Sequence, residues 1–237
     1  MRQLLMIPGP IEVSPAVREA HDVIPPGHQA SDLIEAYGDA LESTLAIWGA
    51  GEGALPFMIP GSGTAAMELA AANLVTTGTR VLVVNTGYFS GRMMEIIRRY
   101  GADVISVDAP PGDAPSIDEI RSAATKHRAE VVFATHVDTS TGVKMEPCHV
   151  TEAVSDLGAL TVFDGVCATA AEPFNMAALG ADVYLTGSQK ALGLPAGLAV
   201  AVFSLNAIQR RDAIDAPPLY FDIQSWRPIM TAYLERK

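Results

Sequence analysis

The chain has few cysteines, few cations and no long apolar run, and each shortage argues against a class of protein. Its two cysteines, Cys148 and Cys167, are too far apart in sequence for a metal pair and too few for a disulfide framework. Lys and Arg total 16 against 27 Asp and Glu, and the resulting net charge of −11 argues against nucleic-acid binding. No apolar run approaches the ~20 residues of a membrane span, and no basic and apolar leader opens the sequence. We therefore expect a cytoplasmic protein that does not enter a membrane.

What the sequence does contain is a regular alternation of apolar strands and amphipathic helices. With 237 residues, 49% of them hydrophobic and 18% charged, the chain can bury a substantial core. Strand patterns recur along the chain, and helix patterns separate most of them. Such an alternation predicts an α/β fold with a mostly parallel, doubly wound sheet. The strands lie at 55–60, 80–85, 102–107, 130–135, 159–164, 181–186 and 198–203, and the helices lie at 32–48, 92–100, 117–127, 149–157 and 174–179. Ser14 followed by Pro15 predicts a further helix start, and Ser116 with Glu119 predicts a capping box at the start of the helix at 117–127.

Two of the predicted strands end at residues suited to covalent cofactor chemistry. Lys190 closely follows the strand at 181–186, and Asp164 ends the strand at 159–164. Parallel strands collect ligand groups at their carboxyl ends, so both side chains are expected to meet one ligand. Most loop lysines simply extend into solvent. A lysine beside buried strands, however, is a Schiff-base candidate, and a carboxylate can keep a pyridine nitrogen protonated, so the pair favours pyridoxal phosphate.

A glycine turn precedes the alanine-rich segment that starts at Ala65. Gly61, Ser62, Gly63 and Thr64 follow a short apolar strand. Small residues at a helix start let a ligand approach free backbone N–H groups, which makes an anion site. The turn lacks the motifs of nucleoside triphosphate and dinucleotide sites, so a nucleotide-binding role through this turn is the weakest alternative. A bare tight turn without a ligand is equally open.

A polar loop follows the strand at 130–135. It carries His136, Asp138 and several hydroxyl groups, which suggests contact with a polar ligand. Two other interpretations stay open: His136 could be a structural histidine, and the hydroxyls could cap the turn. The loop offers too few ligands for a zinc site, so we expect no metal.

The residues Gly187-Ser-Gln-Lys-Ala-Leu192, together with Asp164, resemble the class V aminotransferases among the fold-type I pyridoxal-phosphate enzymes. The segment is most similar to the alanine(serine)–glyoxylate aminotransferase branch, and the resemblance runs from Pro8 to the region of Tyr220. It implies an N-terminal arm at 1–15, a pyridoxal-phosphate-binding large domain at 16–237, and a homodimer. Members of this family continue into a smaller C-terminal domain, which we expect to be missing here through a truncated gene product or an incomplete record.

The resemblance also implies roles for single residues. Lys190 would carry the cofactor as a Schiff base, with Asp164 at the pyridine nitrogen. Phe89 would stack on the pyridine ring, with Tyr88 as its substitute. His136 receives no role. The remaining contacts would be Ser62, Gly63 and Thr64 at the phosphate, Thr139 at the phenolic oxygen, Gln189 beside Lys190, and Gly9 near the substrate.

The implied activity is transamination between alanine or serine and a 2-oxo acid, glyoxylate. Two alternatives remain beside it. A cysteine desulfurase would need a reactive cysteine on a mobile loop, and neither cysteine is suitably placed, since Cys167 reads as a small buried residue. A truncated paralogue could instead bind pyridoxal phosphate without turnover.

Overall fold

The computed structural model describes residues 4–237, so the first three residues of the predicted arm at 1–15 lie outside the described residues. Residues 4–14 form no helix or strand, and the apolar side chains from Leu4 to Ile7 are exposed. Helix α1 (Pro15–His21) begins where the sequence predicts, because the Ser14 hydroxyl accepts a hydrogen bond from the Val17 N–H. Helix α2 (Ser31–Ile47) follows.

The sheet confirms the predicted α/β architecture. Its seven strands in the described residues run in the order β1-β9-β8-β7-β4-β2-β3, and β9 alone among them is antiparallel to its neighbours. Strands β5 and β6 form a separate short hairpin. The bounds are β1 (Leu55–Pro60), β2 (Arg80–Asn85), β3 (Asp103–Asp108), β4 (Val131–Thr135), β5 (Val137–Asp138), β6 (Val143–Lys144), β7 (Leu160–Asp164), β8 (Val183–Gly187) and β9 (Leu198–Phe203).

Helices cover both faces of this sheet, so there are two hydrophobic cores. Side chains alternate along a strand, and in β2 Val83 belongs to one core while Leu82 and Val84 belong to the other. Helices α3, α4 and α9 pack on the first face, and α5 and α6 on the second. The bounds are α3 (Gly63–Leu74), α4 (Tyr88–Arg99), α5 (Ile117–His127), α6 (Pro147–Val154), α7 (Met176–Leu179), α8 (Leu205–Asp212) and α9 (Ile223–Leu234), with a 3-10 turn at Leu219–Phe221.

Three predicted helix starts were wrong. Helix α7 begins at Met176 rather than at 174, because the Asn175 side chain caps it by accepting the Ala178 N–H. Helix α4 begins at Tyr88 rather than Arg92, because side chains from the polar loop satisfy its first N–H groups. Helix α6 begins at Pro147 rather than at 149, since a proline fits the first helical turn without losing a hydrogen bond. Within residues 4–237, no helix combines the length and the apolar character needed to cross a membrane.

Candidate functional site

A cavity at the carboxyl ends of β4, β7 and β8 brings together seven of the nine residues that the sequence singles out. These seven are Ser62, Gly63, Thr64, Phe89, Asp164, Gln189 and Lys190. The parallel strands explain the convergence, because their carboxyl ends meet at one edge of the sheet. Gly9 and Thr139 are not among the residues that line it.

Asp164 is the buried charge of this cavity. Its side chain ends β7, and one carboxylate oxygen accepts a hydrogen bond of 2.9 Å from the Val166 N–H. No other residue of 4–237 donates to this carboxylate. Burial raises the pKa of Asp164 to about 6, with the Val166 hydrogen bond and the charge of Lys190 acting in the opposite direction. A shift of this size costs on the order of 3 kcal/mol when the group ionises, and a cation opposite Asp164 would offset that cost.

Lys190 lies in the turn that follows β8, and the N-terminal arm passes against it. A Cβ placed on Gly9 would lie 2.8 Å from Lys190 Nζ, so a side chain there would displace the amine. The arm is tied to this turn by the Ile11 N–H, which donates to the Gln189 carbonyl oxygen at 3.2 Å. Gly9 therefore packs against Lys190 although it does not line the cavity.

The start of α3 closes another side of the cavity. The Ser62 hydroxyl caps the helix by accepting the Ala65 N–H, while the N–H groups of Gly63 and Thr64 find no acceptor within residues 4–237. A Cβ on Gly187 would lie 2.8 Å from the Gly63 nitrogen, so glycine is needed for this close approach. Buried Gln189 Oε1 also lacks a partner among the described residues. The unpaired N–H groups at this helix start are suited to a bound anion, whereas the Gln189 oxygen is an acceptor and would need a donor.

Phe89 reaches the cavity because the polar loop holds the start of α4. The Asp138 carboxylate accepts the Phe89 N–H at 3.0 Å and the Ser90 N–H at 3.4 Å, and the Ser140 hydroxyl accepts the Tyr88 N–H at 2.9 Å. Tyr88 itself is 59% exposed and does not line the cavity. Of the two aromatic candidates, the structure thus places Phe89 in the site. The hydroxyl of Ser140 acts as a cap, which is one of the interpretations left open by the sequence.

Thr139 does not line the cavity, but it contacts a residue that does. Its hydroxyl accepts a hydrogen bond from Cys167 Sγ at 3.6 Å, and Cys167 is the residue that lines the cavity. The expectation that Cys167 is a buried residue was wrong, since it is half-buried and faces this space. Its turn is fixed by the Ala168 and Thr169 N–H groups, which both donate to the Gly165 carbonyl. The role predicted for Thr139 stays a prediction.

His136 is buried away from the cavity, in the core on the other side of the sheet from α3. Its Nδ1 lies 3.0 Å from the Tyr184 hydroxyl, and its Nε2 has no partner among the described residues. Burial, helped by the charge of Lys144, lowers the pKa of His136 to about 4. The imidazole is therefore neutral at physiological pH. These contacts favour the structural interpretation of His136.

Several residues that line the cavity were given no role from the sequence. Thr135 and Val137 flank His136 and point to the side of the sheet opposite to it. Arg92 lies one helical turn after Phe89, and this spacing places both on one helix face once the helix is known to begin at Tyr88. Because the helix was predicted to start at Arg92, this spacing could not be recognised from the sequence. The full set of lining residues not identified from sequence is Met67, Arg92, Thr135, Val137, Val166 and Cys167.

Comparison with known proteins gives the fold and the family that the sequence predicts. The family model "Aminotransferase class-V" matches residues 56–215. Alanine–glyoxylate aminotransferase 1 of Saccharomyces cerevisiae is 33% identical over 97% of this chain and 63% of its own length. L-aspartate–glyoxylate aminotransferase of Paracoccus denitrificans is 34% identical over 97% of this chain and 58% of its own length.

Among solved structures, alanine–glyoxylate aminotransferase of Nostoc sp. superimposes with a TM-score of 0.87 and 30% identity, over all of this chain and 64% of that one. The predicted fold class, the large domain of a fold-type I pyridoxal-phosphate enzyme with a mostly parallel sheet, is confirmed by these matches. The chain spans about three fifths of the length of these relatives. Because the family model covers more than half of the sequence, the chain belongs to the class V aminotransferase family.

Proposed function

We propose that this chain binds pyridoxal phosphate and provides the reactive lysine of an aminotransferase. The observation that carries the proposal is the buried carboxylate of Asp164, which shares one cavity with Lys190 and forms no ion pair within residues 4–237. A protonated pyridine nitrogen is a cation of the right chemistry for this carboxylate. The free N–H groups of Gly63 and Thr64 would hold the phosphate of the same molecule.

The residues present fit this cofactor at each of its ends. Bound pyridoxal phosphate supplies an aldehyde that an amine can attack and a ring that withdraws electrons. Asp164 would hold the proton of the ring nitrogen, and Phe89 would pack against the ring face. Ser62, Gly63, Thr64 and Gln189 would surround the phosphate. The predicted hydrogen bond from Thr139 to the phenolic oxygen would need Thr139 to reach past Cys167.

Lys190 has two tasks in this proposal. Its Nζ would hold the cofactor covalently through the aldehyde, and once released the same Nζ would accept the α-proton of the substrate and later donate it back. The arm restricts the direction from which substrate enters, because Gly9 packs against the lysine. Asp164 keeps its negative charge near the ring throughout.

The proposed substrates are a small amino acid, alanine or serine, and the 2-oxo acid glyoxylate. The support is the names of relatives, which include alanine–glyoxylate and serine–glyoxylate aminotransferases. The Paracoccus relative, named for aspartate and glyoxylate, shows that the donor varies among relatives. We further propose a cytoplasmic homodimer, for which the exposed apolar residues Leu4 to Ile7 of the arm offer a surface.

A second candidate is a protein that binds pyridoxal phosphate without turnover. The observation that favours it is the length of the chain, which is about three fifths of that of its relatives. A cysteine desulfurase is less well supported. Cys167 does line the cavity, but its turn is held by backbone hydrogen bonds rather than placed on a mobile loop.

The test is chemical trapping of the cofactor on the lysine. The protein is incubated with pyridoxal phosphate, reduced with borohydride, and digested for mass spectrometry. We expect the adduct on the peptide that contains Lys190, and we expect Lys190→Ala to lose it. Lys126→Ala is the matched control, because Lys126 lies on α5 away from the cavity.

Amino transfer from alanine to glyoxylate, measured on the same preparations, separates the two candidates. Adduct with turnover supports the aminotransferase, whereas adduct without turnover supports the binding protein. If borohydride fixes the cofactor equally to the wild type and to Lys190→Ala, the proposed function is wrong.

A further inference from the structure

Arg92 places a second cation at the cavity that holds Lys190. It lies on α4, and its guanidinium carbon is 5.0 Å from the centre of the Tyr88 ring and 5.6 Å from that of the Phe89 ring. One guanidinium nitrogen donates to the Thr64 hydroxyl at 3.1 Å, and the other donates to the Tyr88 hydroxyl at 2.8 Å. These contacts hold the guanidinium between the start of α3 and the aromatic start of α4.

No carboxylate of residues 4–237 forms an ion pair with this arginine. In the part of the chain that the structure describes, the ion pairs of arginine involve Arg80, Arg121, Arg210, Arg211 and Arg236, and none involves Arg92. The chain carries a net charge of −11, so acidic partners are abundant elsewhere. A guanidinium has five N–H donors in a planar fork, and two hydrogen bonds leave donors of Arg92 available.

The neighbours of Arg92 would favour an anion rather than a neutral group. Thr64, to which it is bonded, belongs to the first turn of α3, where two backbone N–H groups have no acceptor among the described residues. The helix start adds a partial positive charge. The guanidinium, the N–H groups of Gly63 and Thr64, and Lys190 thus border one space in which Asp164 is the acidic residue.

We propose that Arg92 is an anion-binding residue of this cavity, which takes an oxyanion carried by the bound reactants. A planar fork of N–H groups matches both a phosphate and a carboxylate. The oxyanion is therefore the phosphate of the cofactor or the carboxylate of the amino-acid substrate. The inference rests on the proposed function, and it adds a residue that neither the Gly187–Leu192 motif nor the glycine turn contains.

The experiment compares Arg92→Gln and Arg92→Lys with the wild type. Arg99→Gln is the matched control, since Arg99 is exposed on the same helix and does not line the cavity. The dissociation constants of pyridoxal phosphate and of pyridoxal, which lacks the phosphate, are measured by absorbance titration. Inorganic phosphate is added as a competitor, and alanine is then titrated against the loaded protein.

If Arg92 binds the phosphate, Arg92→Gln weakens pyridoxal phosphate by roughly 10- to 150-fold, as for the loss of a charged hydrogen bond. Pyridoxal binding then stays unchanged, and inorganic phosphate competes less well. If Arg92 binds the substrate carboxylate, both cofactor constants stay unchanged and the alanine concentration for half-maximal spectral change rises by a similar factor. The affected constant of Arg92→Lys should lie between those of the wild type and Arg92→Gln, because lysine keeps the charge but lacks the planar fork of N–H groups.

Two outcomes would overturn the inference. Equal weakening of pyridoxal phosphate and pyridoxal would mean that Arg92 only supports the aromatic start of α4. No change in any constant would mean that it binds no anion. Either result leaves the trapping of the cofactor on Lys190 intact, so this inference can fail while the proposed function holds. Failure of the proposed function would appear instead as an unchanged adduct in Lys190→Ala.

Discussion

Two buried aspartates follow neighbouring strands of the sheet, and their surroundings differ sharply. Asp138, after β4, accepts hydrogen bonds from the N–H groups of Phe89, Ser90 and Ser140 and from the Ser140 hydroxyl. Within the part of the chain that the structure describes, Asp164, at the end of β7, accepts one hydrogen bond, from the Val166 N–H. Both side chains are nearly inaccessible to solvent.

The difference separates an aspartate that supports the fold from one that is available to a ligand. A carboxylate that accepts several hydrogen bonds is compensated for the water it has lost. The hydrogen bonds that Asp138 accepts also fix the start of α4. A carboxylate with one donor is not compensated, so burial raises the pKa of Asp164 to about 6. Replacing each residue should therefore change different properties of the protein.

The largest effect is expected for Asp164→Asn. Removing one partner of a buried charged pair costs about 3–5 kcal/mol, so the rate of amino transfer from alanine should fall by roughly 10²- to 10³-fold or more. The cofactor-free variant should at the same time be more stable than the wild type, because a poorly compensated charge is gone. Initial rates and urea denaturation check the two effects. A variant with the wild-type rate would show that Asp164 does not act on the cofactor.

The pH dependence of stability should show the same aspartate. The pKa of Asp164 is about 6 in the folded protein against an ordinary value of 3.8, so the folded state binds its proton more tightly. The free energy of unfolding should therefore fall by up to ~3 kcal/mol as pH rises from about 4 to about 6, and Asp164→Asn should lack this fall. Urea denaturation of the cofactor-free protein between pH 4 and 7 measures it. A difference between variant and wild type that does not grow with pH would contradict the assignment.

His136 provides a control of opposite sign. Its pKa is about 4 in the folded protein against 6.5 ordinarily, mainly through burial, and the charges of Lys144, Glu172 and Glu146 also act on it. The unfolded state then binds the proton more tightly. The contribution of neutral His136 to the free energy of unfolding is thus fully present above pH 6.5 and is lost as pH falls towards 4. The variant His136→Gln should lack this loss.

A smaller effect is expected for Asp138→Ala. The variant leaves the Phe89 and Ser90 N–H groups without their acceptor, which should lower the free energy of unfolding by about 1–3 kcal/mol. Cofactor affinity should fall less than stability does, because Asp138 does not line the cavity. Urea denaturation and pyridoxal phosphate titration give the two numbers. If affinity falls and stability does not, Asp138 belongs to the site and the comparison with Asp164 is wrong.

The smallest effect is expected for Gly9→Ala. The added methyl group would displace the flexible Lys190 side chain, and the φ of +150° at Gly9 is one that L residues rarely adopt, so the free energy of unfolding should fall by about 1 kcal/mol. A displaced amine reacts more slowly, and a loss of roughly 10-fold in the rate of covalent attachment of pyridoxal phosphate is expected. Stopped-flow absorbance after mixing with pyridoxal phosphate measures the rate of covalent attachment. Gly197→Ala, with a φ of +149° and open space around its Cβ, is the control for the backbone strain.

Much of the fold could be predicted because its signals are local. The apolar runs identify the strands, and Ser14 and Ser116 identify two helix starts, the second with a full capping box. The start of α4 could not be found in this way. Its cap comes from Asp138 and Ser140, about 50 residues further along the chain, and Gly87 provides no side chain for the purpose.

Some residues of the candidate site could likewise be predicted from the sequence, and others could not. The sequence by itself determined which residues end the strands, so Asp164, Lys190 and the glycine turn at Ser62 could be named from spacing and strand order. Only the tertiary structure decided that Arg92 faces the same space with no acidic partner among the described residues, that Cys167 stands between Thr139 and the cavity, and that His136 lies on the other face of the sheet. The physical reason is that strand and helix patterns depend on neighbouring residues. The burial of a charge, and what compensates it, depend instead on segments that meet only when the chain has folded.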